Sequence, residues 1–287
     1  MTNQHEITKR MPLLNREGNL TEPGWARGLL WDYHRPDIRA SGMRIKEWDY
    51  YFVSNGHIGL ALTIADNGYM GLDSVSYLDF DEKWEITKSP MRLLPMGKTA
   101  LPETSAAGSS EIARGGYALA FYHDDDGTRK LTFHMDKFRG KDAIEGMISL
   151  SDEPAESMVI ATPFEKSGHF YYNQKINCMR AAGWIELGGA RVELEPETWF
   201  AVLDWGRGVW TYHNTWYWGS ASGELDGVPF GWNIGYGFGD TSAASENVLF
   251  YGGKIHKLSQ VRFEIPMQDG KEDYLAPWRF SSDDGRF

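Results

Sequence analysis

Asp204 is the residue whose setting most invites chemistry. It closes the alternating run Phe200-Ala201-Val202-Leu203-Asp204 and shares parity with Phe200 and Val202, so its carboxyl group points where apolar side chains point. A carboxyl among apolar walls can serve as an acid or base; the competing role is a turn cap or an ion pair with Arg207, three residues on. His213, flanked by Tyr212 and Asn214, is the second catalytic candidate, because an imidazole exchanges protons near neutrality. It falls in a predicted loop, where an exposed bystander is an equal reading. Trp216 and Trp218 face one way at i, i+2 and suit a ligand wall better than catalysis. Arg207, Asn233, Tyr236 and Asp240 complete the C-terminal set of ligand-binding candidates, Asn233 and Asp240 as groups that would orient a ligand or a water. Glu246-Asn247 reads as a turn cap.

The N-terminal half offers "EWDYYF" (47–52), where Trp48, Tyr50 and Phe52 alternate with Glu47, Asp49 and Tyr51. Trp48 and Tyr51 are ligand-binding candidates from this stretch, Asp49 and Tyr51 forming a polar pair inside a barrel or facing water. In "YYNQK" (171–175), Gln174 and Lys175 lie beside aromatic residues, and Gln174 joins the candidates.

Several other chemistries fail on spacing. Gly235-Gly237-Gly239 is followed by Asp240, whereas a dinucleotide fingerprint needs G-x-G-x-x-G between a strand and a helix. "GSASG" (219–223) puts Ala221 where a nucleophile turn needs serine. The eight His show no metal-ligand spacing and Cys178 is the single cysteine, so neither a metal ion nor a disulfide is expected, and no cofactor is implied. A net charge of -11 without a Lys/Arg cluster disfavours nucleic acid. The first 19 residues lack a signal-peptide apolar run and no stretch approaches a membrane span, so a soluble cytoplasmic protein without membrane insertion is expected.

The elements that must position these residues are strands. Asn55-Gly56, Asn67-Gly68, Asp126-Gly127, Gly188-Gly189, Asp226-Gly227, Gly252-Gly253 and Asp284-Gly285 each sit between apolar or alternating runs, as tight hairpin turns require. "AGWIELGGARVELEP" (182–196), "KLTFHMDKF" (130–138) and "QVRFEIP" (260–266) alternate apolar and polar residues. No window carries a long amphipathic helix; the stretches near 22–34 and 140–147 are short and broken. The small, polar stretch 94–116 reads as a long loop, either a lid or slack. "YWGSASGEL" and "VPFGWNIGYGFG" should pair around Asp226-Gly227, with Trp232, Ile234, Tyr236 and Phe238 on one face and Asn233, Gly235, Gly237 and Gly239 on the other. A bare glycine face admits an aromatic ring or a ligand.

The stretches 203–258, 44–80 ("RIKEWDYYFVSNGHIGLALTIADNGYMGLDSVSYLDF") and 163–187 ("PFEKSGHFYYNQKINCMRAAGWIEL") resemble the bacterial family of unknown function numbered 2804, over most of the chain. More distantly, the Asp-Trp-Gly and W-x-W-G elements are similar to the lipocalin-like superfamily that includes hydroxyneurosporene synthase and tocopherol cyclase. That resemblance implies an all-β protein of two consecutive lipocalin-like (calycin-like) antiparallel β-barrel or sandwich domains, about 1–150 and 151–287, with a hydrophobic cavity. Relatives run on beyond the equivalent of "WRFSSDDGRF", so the C-terminal barrel is expected to be incomplete.

Three functions follow as expectations. The first is a cofactor-independent hydratase, cyclase or isomerase acting by acid-base chemistry on a lipid-like or terpenoid small molecule. The second is a non-catalytic carrier of a small hydrophobic molecule. The third is a carbohydrate-binding or carbohydrate-active β protein. The orientation of Asp204 discriminates them: toward an enclosed apolar cavity for catalysis, outward to Arg207 for a carrier, beside a groove of exposed parallel Trp faces for sugar.

Overall fold

A computed structural model describes residues 4–124 and 126–287. These residues form β-sheets that are antiparallel except for the short parallel pair Met11–Pro12 with Trp31–Asp32, with no α-helix and one 3-10 turn at Arg35–Asp37 as the only helical element among them. The large sheet runs in spatial order Trp84–Lys88, Met70–Asp79, Ile58–Asp66, Lys46–Ser54, Phe200–Val209, Phe170–Leu187, Asp142–Ser151, Arg129–Arg139, Tyr117–His123 and Gly108–Arg114. Six of the seven turn pairs read from sequence join neighbouring strands of this sheet or of the small one. At the Asp226-Gly227 turn both residues take positive φ, 52° and 76°, the conformation a two-residue hairpin loop demands.

Alternation decides which face of each strand is buried where. Tyr51, Val53, Leu60, Leu62, Ile64 and Val75 on one wing meet Leu119, Phe121, Leu131, Phe133, Ile144 and Ile148 on the other, all within 7% exposure. The wings roll toward each other without closing a barrel. The Tyr51 and Phe121 rings lie 5.1 Å apart, and Tyr117 Oη donates to Asp73 Oδ2 at 2.9 Å. The expected long loop over 94–116 is shorter, because Gly108–Arg114 is a strand. Its remainder plugs the roll: Leu101 and Ser105 are buried, and the carbonyls of Pro102 and Ser105 accept from Arg207 and Arg129 at 2.8 and 2.6 Å. The interior of the roll is therefore filled by side chains.

The large sheet draws strands from both sides of residue 150, Asp142–Ser151 pairing directly with Phe170–Leu187. The separation expected at 150/151 thus does not coincide with a break between sheets. A second, four-stranded sheet orders Tyr217–Leu225, Val228–Tyr236, Val248–Tyr251 and Lys254–Lys257. It is pinned to the outer face of the first by a bulge in the Phe170–Leu187 strand, where the register shifts between Ile176 and Met179 and Cys178 takes φ 67°. There Asn177 Nδ2 donates to Ser220 Oγ at 2.8 Å and to the Ala221 carbonyl at 3.1 Å, and the Cys178 amide donates to Ser222 Oγ at 3.0 Å. A non-glycine residue at positive φ costs about 1–3 kcal/mol, and these bonds from the small sheet hold it in place.

The glycine-face reading needs correction. The second hairpin strand ends at Tyr236, and Gly237 and Gly239 leave it at φ 87° and 76°. Gly235 does present a bare face, and its occupant is a carboxyl group: a Cβ there would lie 2.3 Å from Glu246 Oε1.

Candidate functional site

The outer face of the large sheet carries an unusual cross-strand row. Tyr50, Asp204 and Lys175 stand directly opposite one another on three adjacent antiparallel strands, which brings their side chains together on one face. Lys175 Nζ lies 2.6 Å from Asp204 Oδ2 and 3.1 Å from Glu246 Oε2, so one ammonium bridges two carboxyl groups. Asp204 Oδ1 also accepts from Asn173 Nδ2 at 2.6 Å and from Trp48 Nε1 at 3.3 Å. Across the site, Glu246 Oε2 accepts from Asn233 Nδ2 at 3.1 Å, and Asn233 Oδ1 accepts from Trp218 Nε1 at 2.8 Å.

These groups open onto a cavity of about 470 Å³ between the two sheets. Its walls are the rings of Trp48, Tyr50, Tyr171, Trp210, Trp216, Trp218 and Phe238, with Thr63, Ala65, Asn67 and Leu72 completing the side toward the first wing. The rings meet mostly edge to face, Trp48 with Trp210 at 82° and Tyr50 with Trp218 at 87°. Gly206 makes this packing possible, since a Cβ there would fall 2.1 Å from Trp48 Cζ2.

Burial sets the proton inventory. Burial disfavours the Lys175 charge, but Asp204 and Glu246 outweigh it and hold the ammonium above the ordinary lysine range. Burial, reinforced by Asp204, pushes the Tyr50 phenol above its usual value. Tyr171 is raised by burial and then by Asp204 and Glu246. Both phenols are thus neutral donors at physiological pH, and neither hydroxyl is hydrogen-bonded to another described residue.

Of the sequence candidates, Asp204, Trp48, Trp216 and Trp218 line the cavity, and Asn233 stands behind it joining Trp218 to Glu246. Arg207 does not pair with Asp204. Their parities differ, and Arg207 points into the roll, where Nη1 lies 3.0 Å from Asp49 Oδ1 and donates to the Trp48 carbonyl at 2.8 Å. Tyr51 is buried in the roll with its hydroxyl 3.4 Å from Arg129 Nη1, and Asp49 meets Ser110 and Arg207 rather than Tyr51. Gln174 points the same way, donating to Ser157 Oγ at 2.8 Å and accepting from Ser105. Tyr236 stacks on Tyr217, and Asp240 caps an exposed turn by accepting from the Ser242 amide. His213 is exposed and does not line the cavity.

Lys175, named in the sequence only as lying beside aromatic residues, and Glu246, read there as a turn cap, complete the charged cluster of the candidate site. Parity within "YYNQK" was the available signal for Lys175: it alternates with Gln174, and only the lysine faces the second sheet. Glu246 sits in an irregular stretch between strands, where no local pattern fixes its direction.

The sequence profile described as "Domain of unknown function (DUF2804)" matches residues 4–287. The chain belongs to this family. No curated protein matches it. Among solved structures, the DUF2804 chain is similar to a protein of Nitrosomonas europaea described as a candidate AttH, with TM-score 0.51, 13% identity, and coverage of 77% of this chain and 71% of that one. It is also similar to kievitone hydratase from Nectria haematococca, with TM-score 0.47, 8% identity and coverage of 95% and 83%. A third similar structure is CghA, with TM-score 0.44, 10% identity and coverage of 96% and 78%. The first of these likenesses bears on the fold. The DUF2804 site itself rests on its own geometry, Lys175 coming from the 163–187 block and Asp204 and Glu246 from the 203–258 block.

Proposed function

We propose that this DUF2804 protein binds a largely apolar small molecule between its sheets and moves a proton to or from it, as a hydratase, cyclase or isomerase does. The observation that carries this reading is the Lys175–Asp204–Glu246 cluster facing an aromatic cavity. Buried ion clusters gain little net stability, because desolvation costs several kcal/mol per ion. A carrier needs the cavity but not that cluster. In the proposed reaction a carboxylate oxygen of Asp204 or Glu246 accepts the proton, while Lys175, held cationic, orients both carboxylates. Tyr50 and Tyr171 donate hydrogen bonds to a polar group on the ligand. A sugar platform is less well supported, since Trp48 meets Trp210 and Trp218 meets Tyr50 edge to face, where a sugar site would present parallel Trp faces.

Native mass spectrometry of protein purified from its own source, followed by incubation of any retained molecule in D2O, tests this. We expect an apolar ligand that takes up deuterium with wild-type protein and roughly 100-fold or more slowly with Asp204→Asn, the scale of general acid-base catalysis. A retained ligand that never exchanges would make the protein a carrier, and a retained sugar would overturn both readings.

A further inference from the structure

The charges and rings of the cavity specify more than an apolar ligand. Among the described residues Lys175 is the only basic side chain on its wall, against the two carboxyl groups of Asp204 and Glu246. Its ammonium is committed to both and lies 4.9 Å from the Trp218 ring centroid. Counted over the wall itself, one formal negative charge is left over in a mostly aromatic space, the buried Lys257 acting on Glu246 only from behind the wall. Among the described residues no Lys or Arg lies over Trp48, Trp210 or Trp216, the cations that pack on rings being engaged with other aromatics.

A second observation points to the same place. Tyr171 is 5% exposed and lines the cavity, with its ring stacked 5.9 Å from Trp48 and edge-on to Phe238 at 4.7 Å. Its hydroxyl nevertheless takes part in no hydrogen bond among the described residues. The cavity therefore presents π faces, an unused hydroxyl oxygen and surplus carboxylate charge, all of which favour a positive guest.

From this geometry we infer that the ligand is a cation with an apolar body: a protonated or quaternary amine whose charged centre sits among Trp48, Trp210 and Trp216 and is balanced by the Asp204–Glu246 pair. The inference rests on the proposal that the cavity takes a small molecule and narrows that molecule to one charge class. Neutral ligands of the same shape would forgo both the ring quadrupoles and the uncompensated charge.

The test compares phenyltrimethylammonium with tert-butylbenzene, its uncharged carbon isostere, on the wild-type protein at low salt, with tryptophan fluorescence as the readout. We expect the cation to bind at least tenfold more tightly, and Glu246→Gln to reduce that preference toward unity. Equal or tighter binding of tert-butylbenzene overturns the charge assignment and leaves the apolar cavity standing. Binding of neither compound up to the solubility limit of tert-butylbenzene overturns the charge assignment together with the small-molecule reading. Because the decisive comparison uses unmodified protein, it holds even where a variant fails to fold.

Discussion

Lys175 and Asp204 stand directly opposite each other on adjacent antiparallel strands, Nζ to Oδ2 at 2.6 Å, with side chains only 2% and 14% exposed. The pair is at once a piece of sheet wall and the polar floor of the cavity. Removing Lys175 leaves both Asp204 and Glu246 without their cation in a poorly solvated place, whereas removing Asp204 leaves the lysine paired with Glu246.

Lys175→Met should therefore cost about 3–5 kcal/mol, the range for breaking a buried ion pair from one side. Urea denaturation measures it. The triple variant Lys175→Met, Asp204→Asn, Glu246→Gln should recover most of that loss while remaining inactive, which separates stability from chemistry. A Lys175→Met protein as stable as wild type would show that the cluster is solvated and not buried.

Two glycines make the site possible, and a side chain at either would displace the group packed on it. Gly206→Ala would drive a methyl group into the Trp48 ring and Gly235→Ala into the Glu246 carboxyl group. Overpacking of this kind costs about 1–3 kcal/mol. Both variants should melt earlier, and Gly235→Ala should also weaken ligand binding by displacing Glu246. Titration of a ligand by fluorescence distinguishes the two effects.

Much of the fold was legible because hairpin chemistry and period-two alternation are local signals. The turn at Asp226-Gly227 and the direction of Asp204 could be read within ten residues. Parity also separates Asp204 from Arg207, three positions on and therefore on the opposite face, so proximity along the chain does not make them a pair. Tyr51 and Gln174 point into the roll and not toward the cavity, which their spacing alone does not reveal. On a sheet buried on both faces, both parities look apolar, and sequence does not say which face carries the cavity. The pairing across residue 150 is a different matter: order along the chain does not reveal that Phe200–Val209 returns to pair with Lys46–Ser54. Glu246 depends on where an irregular segment crosses a glycine, a long-range contact with no periodic signature.

Stability should rise with pH above neutrality through Lys257. Its buried Nζ donates to Ser245 Oγ and to the carbonyls of Asn247 and Leu258 at 2.9, 3.2 and 2.7 Å. Burial first, then Arg286, pushes it down to about 7, with Asp284 and Glu246 opposing. Below pH 7 both folded and unfolded states carry the proton and the folded state bears the burial cost. Between about 7 and the ordinary value of 10.5 the unfolded chain binds more protons, so stability increases with pH. The group contributes at most about 1.4 kcal/mol per pH unit. Lys46, lowered to about 8, acts in the same direction, so the diagnostic quantity is the difference between wild type and Lys257→Met in urea melts from pH 6 to 9. Parallel curves would remove Lys257 as the source.

His213 and Trp216 belong to one exposed segment but should behave differently. His213→Ala should leave stability within about 0.5 kcal/mol and binding unchanged, as a surface substitution does. Trp216, 56% exposed at the rim and 5.3 Å from the Phe238 ring, should lose ligand affinity on substitution by alanine with little change in melting. A His213→Ala protein with impaired binding would place the imidazole at the ligand after all.

The strand Phe170–Leu187 is buried on both faces along its first half, with Tyr172 and Ile176 in the roll and Asn173 and Lys175 under the cavity. A change that suits a new ligand on one face is felt at once by the hydrophobic core on the other. The floor of the site is consequently conservative by construction. Its roof, the segment from Trp210 to Trp218, contains no buried residue and can be exchanged piece by piece, Phe238 tying it to the buried cluster around Tyr171 and Val248. New binding preferences in this architecture can arise from above, over chemistry that the core itself holds still.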